Sequence, residues 1–131
     1  MTDVPAARRP RGRSPWVWAG YWASAALGLP IMTIAWTSIT LANEEDSEAA
    51  RHGFAPTGPA LLTIALGLIA LAHLVGWGLL RGIAHGTPGG SRRRTTLAVW
   101  TVAAVSGVGL IGALILTDGQ LFVPYPRPYV P

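Results

Sequence analysis

Three long apolar stretches, arginines clustered beside them, and connecting segments too short to bury a core of their own predict an all-α membrane protein. The expected architecture is three transmembrane helices in a small helical bundle, N-terminus inside and C-terminus outside. Residues 16–41, 59–80 and 96–117 contain no Asp, Glu, Lys or Arg, and each exceeds the roughly 20 residues a helix needs to cross ~30 Å of hydrocarbon. Half of the 131 residues are apolar and only 12% are charged, with a mean hydropathy of +0.39. That balance fits a membrane protein better than a soluble domain.

Residues 1–15 form a basic N-terminal segment carrying Arg8, Arg9, Arg11 and Arg13. The first apolar stretch, 16–41, is followed closely by small residues at Thr40-Leu41-Ala42, as at a signal-peptide cleavage site. An export signal has an apolar region of only about 7 to 15 residues, so this stretch reads as a retained anchor. Arg8 and Arg9 also lack the closely following apolar residues of a twin-arginine signal. Gly20, Ser24 and Gly28 recur every four residues, a stripe on which another helix approaches closely in lipid. Pro30 cannot donate to the Ala26 carbonyl and crowds it, so a static kink is expected, with Thr33 and Thr37 nearby to satisfy freed backbone groups.

Residues 42–58 make an acidic outer loop with an anionic cluster of Glu44, Glu45, Asp46 and Glu48. Its spacing is not that of an EF-hand loop, and His52 completes no zinc set, so solvated carboxylates are expected and no metal or cofactor is assigned. In 59–80, Thr57 is positioned as an N-cap and Pro59 falls in the first turn, where its missing N–H costs nothing. Ala72 with Gly76, and Gly78 with Gly82, repeat the small-residue spacing.

Between Ala72 and Gly76 stands His73, an imidazole in the apolar run LIALAHLVGWG. It lies eight residues from Arg81, about 12 Å along a helix, and Ser24 lies equally far from Trp16. The expected role is an intramembrane polar contact: a neutral ring hydrogen-bonded across the bundle to Ser24 or to a backbone carbonyl. A bis-histidine haem site requires a second intramembrane histidine, whereas His52 and His85 fall in loops on opposite sides, so such a site needs a partner subunit or symmetry mate. A proton relay strings several ionisable groups together, and the three spans contain no acid.

Residues 81–95 form a basic loop holding Arg81, Arg92, Arg93 and Arg94, the last three expected at lipid headgroups, after a turn at residues 88–91. Ala103 with Gly107, and Gly109 with Ala113, carry the seam of the third span, with Ser106 between them. In the tail, 118–131, prolines at 124, 126, 128 and 131 alternate with Tyr125 and Tyr129. Such a segment favours polyproline II, and with Phe122 it reads as a strap across a partner's surface or as a frayed tail with tyrosines at the interface.

Orientation follows from arginine asymmetry. The N-terminal segment and the second loop carry four arginines each, the first loop and the tail one each, Arg51 and Arg127. The arginine-rich sides are therefore expected in the cytoplasm. Trp16, Trp18, Tyr21, Trp22, Trp77 and Trp100 crowd those ends and read as an aromatic belt. Arginine without lysine, and much Ala, Gly and Pro, point to a high-GC bacterial genome and so to a multi-pass protein of a bacterial cytoplasmic membrane.

A net charge of +4 and a pI near 10.7 raise nucleic acid as a partner. The arginines, however, abut apolar spans, so the sequence is read as binding membrane lipid and no nucleic acid. With no cysteine, disulfides, thiolate metal sites and cysteine nucleophiles are absent. No P-loop, dinucleotide fingerprint or acid–base pair is present, so no catalytic residue is assigned and the chain is not read as an enzyme. The expectation is a small integral membrane interaction protein, an accessory or assembly subunit bound to other membrane protein subunits. The alternative is self-association into a channel or transporter component with His73 in the pathway.

Overall fold

The computed structural model describes residues 15–54, 59–87 and 89–122. Its elements are α1 (Pro15–Arg51), α2 (Pro59–Ile83), a 3-10 turn (Ala84–Gly86) and α3 (Ser91–Leu116). All three α-helices are long and apolar enough to cross a membrane. They run up, down and up: the N-terminal part of α1 packs with the C-terminal part of α2 and the N-terminal part of α3. One end of the bundle is therefore arginine-rich and the other acidic.

Several boundaries differ from the sequence reading. The acidic loop expected at 42–58 is helical through Arg51, making α1 37 residues long, about 55 Å at ~1.5 Å per residue. The cause is local: seven of the ten residues from Ala42 to Arg51 are Ala, Glu or Arg, all good helix formers, and no Gly or Pro occurs before Gly53. Arg51 also pairs with Glu48 one turn back. At the opposite end α2 continues to Ile83 and α3 begins at Ser91, so Arg92, Arg93 and Arg94 stand in the first helical turn and not in a loop. Gly89, at φ +144°, takes the backbone where L residues rarely go, which breaks the chain between the helices. Finally, α3 stops at Leu116: Asp118 and Gly119 adopt positive φ, and the Gly119 amide donates to the Leu114 carbonyl at 2.7 Å, a left-handed helix stop.

α1 is the central helix, lying along both others, while α2 and α3 meet over a shorter length. Near the arginine-rich end the core consists of Tyr21, Ala25, Met32, Leu80, Ala84, Ala98 and Val102. Near the acidic end Ala35, Ile39 and Ala42 pack on Ala65 and Ile69, with Leu121 folded back against them. Thr40 donates to the carbonyls of Gln120 and Leu121, at 3.3 Å each, tying the start of the tail to α1.

α1 passes through Pro30 without a break. Thr33 donates to Leu29 O at 3.0 Å and Thr37 to Thr33 O at 2.9 Å, so neither hydroxyl serves the Ala26 carbonyl freed by the proline. A helical threonine reaches back four residues, and residue 30 is the proline itself.

Candidate functional site

The seam between α1 and α3 is built from small residues and polar side chains. A Cβ added at Gly109 would lie 2.6 Å from Met32 Cβ and 2.9 Å from the Met32 carbonyl carbon, and one at Gly112 would lie 3.0 Å from Thr33 Oγ1. Backbones approach this closely only where one partner has no side chain. Ser106, on the same inward face, accepts a hydrogen bond from Trp36 Nε1 at 3.1 Å. Ala113 is fully buried one turn beyond Gly109.

A second polar bridge joins the helices nearer the arginine-rich end. Tyr21 is 0% exposed, and its hydroxyl lies 2.7 Å from Thr101 Oγ1. Thr101 gives its own proton to Leu97 O at 2.9 Å, so Tyr21 must donate to Thr101. Trp18 and Trp22 each meet the Tyr21 ring edge-on, with centroids 5.9 and 5.6 Å away. Tyr21 is thus a core residue and not a member of the aromatic belt. Trp16 and Trp100 remain largely exposed.

The small-residue stripes divide between used and unused faces. A Cβ added at Gly28 would lie 3.1 Å from Val105 Cγ1, and one at Gly76 3.7 Å from Val102 Cγ2. Ser24 lines, with Gly28, Ala72 and Gly76, an apolar groove of about 370 Å³ between α1 and α2, floored by Val102 and Val105. Gly20 has open space around it, because steps of four rotate a helix face by about 40° each and carry Gly20 away from Gly28. Ala103 and Gly107 point outward. They cannot share a face with Gly109 and Ala113, because six residues turn a helix by about 240°.

His73 does not reach Ser24. Its Nδ1 lies 2.7 Å from the carbonyl of Ile69 on its own helix. It is only half-buried, turned about 100° from Ala72 around α2. A carbonyl only accepts, so Nδ1 donates in this bond, and Nε2 has no hydrogen-bond partner among the described residues.

At the arginine-rich end a recess of about 680 Å³ opens between α1 and α3, lined by Trp18, Thr87, Gly90, Arg92, Arg93, Arg94, Thr96, Leu97 and Trp100. Buried Thr87 holds its floor by donating to Ala84 O from both its amide, at 3.0 Å, and its hydroxyl, at 2.7 Å. Gly86 seats the turn against Val17, 3.2 Å from where a Cβ would stand. The N-cap of α3 is Gly90, which offers no side-chain cap, and the first turn contains no acid. Arg94 is half-buried, and its Nε is fully buried without a hydrogen-bond partner among the described residues. Elsewhere at this end Arg81 lies over the Trp77 ring, 5.2 Å from its centroid.

At the acidic end Glu44, Glu45 and Glu48 are exposed along one side of the projecting part of α1. Among the described residues no group of three or more His, Cys, Asp or Glu is arranged to hold a metal ion. Phe122 is exposed, whereas Thr57, Tyr125 and Tyr129 lie outside the described residues.

Sequence reasoning missed Trp36, Thr101, Gly86 and Gly112. Trp36 and Thr101 lie within apolar stretches, where nothing in their local pattern marks a partner 70 or 80 residues away. Gly112 had a readable signal in its spacing of three from Gly109. No known protein family, curated protein or solved structure matches the chain.

Proposed function

We propose that the chain is a small integral membrane interaction protein, an accessory or assembly subunit of a larger complex in a bacterial cytoplasmic membrane. Its arginine-rich end faces the cytoplasm in this reading, by the asymmetry of arginine in the short connections. One observation carries the proposal: close-approach surface is left over. Gly20, Gly67, Gly78, Gly82 and Gly107 have no atom within 4 Å of an added Cβ, although glycine is costly inside a helix. Gly107 stands one turn from exposed Ala103, the spacing on which a further helix packs in lipid. Tyr21 and Thr101, and Trp36 and Ser106, are meanwhile spent on one another.

The test is affinity purification from native membranes in mild detergent, with a tag inserted between α2 and α3 and co-purifying proteins read by mass spectrometry. Stoichiometric partners lost in Gly107→Leu support the reading; a chain that purifies alone as a monomer overturns it. A second reading, a homo-oligomeric channel or transporter component, draws on the unpartnered Nε2 of His73. Recovery of a homo-oligomer alone, whose assembly or permeation depends on His73, places that reading first.

A further inference from the structure

We infer that the arginine–tryptophan recess at the start of α3 binds the phosphate of an anionic phospholipid headgroup. The first four amides of a helix lack intrahelical acceptors, and among the described residues it is the Arg94 amide that turns back, to Gly90 O at 3.3 Å. Gly90 cannot cap the others, and no acid stands in the first turn to take that role. Three arginines occupy the turn instead, at the positive end of the helix dipole, where cations are disfavoured. An anion resolves both problems, because free amides and the dipole bind phosphate and guanidinium groups bind it by charge-assisted hydrogen bonds.

Arg94 supplies a further observation: its half-buried side chain lines the recess, which holds the guanidinium group at the wall, where a phosphate oxygen accepts charge-assisted hydrogen bonds. The walls point to a lipid as the source of the phosphate. Trp18 and Trp100 flank the arginines, and indoles favour the headgroup level of a bilayer. Leu97, in the same lining, starts the apolar length of α3, along which acyl chains continue. The volume, about 680 Å³, is in the range of small-molecule sites, and no acidic side chain lines it.

Native mass spectrometry of the full chain released from detergent tests this with three probes: phosphatidylglycerol, phosphatidylcholine and inorganic phosphate. Phosphatidylglycerol should stay bound under activation that strips phosphatidylcholine. Arg94→Gln should weaken its retention about tenfold, the effect of losing one charge-assisted bond. Arg81→Gln, which removes an equal charge at the same end but outside the recess, should leave retention as it was. Equal retention of the two lipids by the unaltered chain would refute the inference, as would unchanged retention when Arg92, Arg93 and Arg94 are all replaced by Gln. Inorganic phosphate that binds alone and displaces phosphatidylglycerol would assign the site to a soluble phosphate and overturn the lipid source. The comparison of lipids on the unaltered chain stands even if the triple variant fails to fold.

Discussion

Gly109 has no room for a side chain against α1, and what a Cβ there would meet is the backbone of Met32 and Thr33 as well as a side chain. Backbone cannot rotate away, so Gly109→Val should separate the helices and cost about 1–3 kcal/mol, the usual penalty of overpacking. The measurement is reversible unfolding in mixed micelles. Gly107→Ala is the matched control: with open space around it, the same measurement on the monomer should show no loss, and a gain of up to about 1 kcal/mol from helix propensity. Trp36→Phe keeps the ring and removes the donor to Ser106; a loss of about 0.6 kcal/mol is the average for such bonds between membrane helices. At this scale the sequence was legible for residue type and only partly for direction. Gly28 and Gly76 were identifiable as contact residues by spacing, whereas Tyr21 looked like its tryptophan neighbours. Which side of α1 is buried depends on where α3 lies.

At the scale of elements, α1 is the informative case. Its apolar part ends at Leu41, where the hydropathy pattern ends, yet the helix runs to Arg51. Charge ends a membrane span without ending a helix, and Glu44, Glu45 and Glu48 are as compatible with the α conformation as alanine nearly is. Replacing Ala49 and Ala50 by Gly should therefore fray the projecting segment, at about 1 kcal/mol per substitution, while the membrane part stays protected. Amide hydrogen exchange should quicken between residues 42 and 51 and stay unchanged between 20 and 35. Equal change in both regions would show that the extension is coupled to the bundle. The turn between α2 and α3 was legible in Gly89 and Gly90, but its consequence was not. Starting α3 at Ser91 converts an arginine run read as a loop into the first turn of a helix, and so creates the recess.

For the whole molecule, the arrangement puts the polar bridges inside and leaves much of α2 and the outer face of α3 to lipid or to partners. If the arginine-rich end is cytoplasmic, a C-terminal reporter should be active only outside the cytoplasm; cytoplasmic activity would overturn that orientation. Deletion of residues 122–131 should weaken co-purification of any partner if the tail straps its surface, while leaving the monomer's unfolding unchanged, because Thr40 grips the chain before that point, at Gln120 and Leu121. Undiminished co-purification would show that the tail is dispensable for assembly.

The sequence by itself determined three membrane-length helices, because length and apolarity are local properties that no packing reverses. It also determined where arginine concentrates and which residues are small enough for close approach. Only the tertiary structure decided which small residues are used. A stripe rotates by about 40° every four residues, so its usefulness depends on the crossing of two helices. Likewise, His73 bonds to Ile69 on its own helix because the carbonyl four residues back is always within reach, whereas Ser24 is reachable only if two helix faces align. Long-range pairings such as Tyr21 with Thr101 depend on where another helix happens to lie, and that information is carried by the packed bundle as a whole.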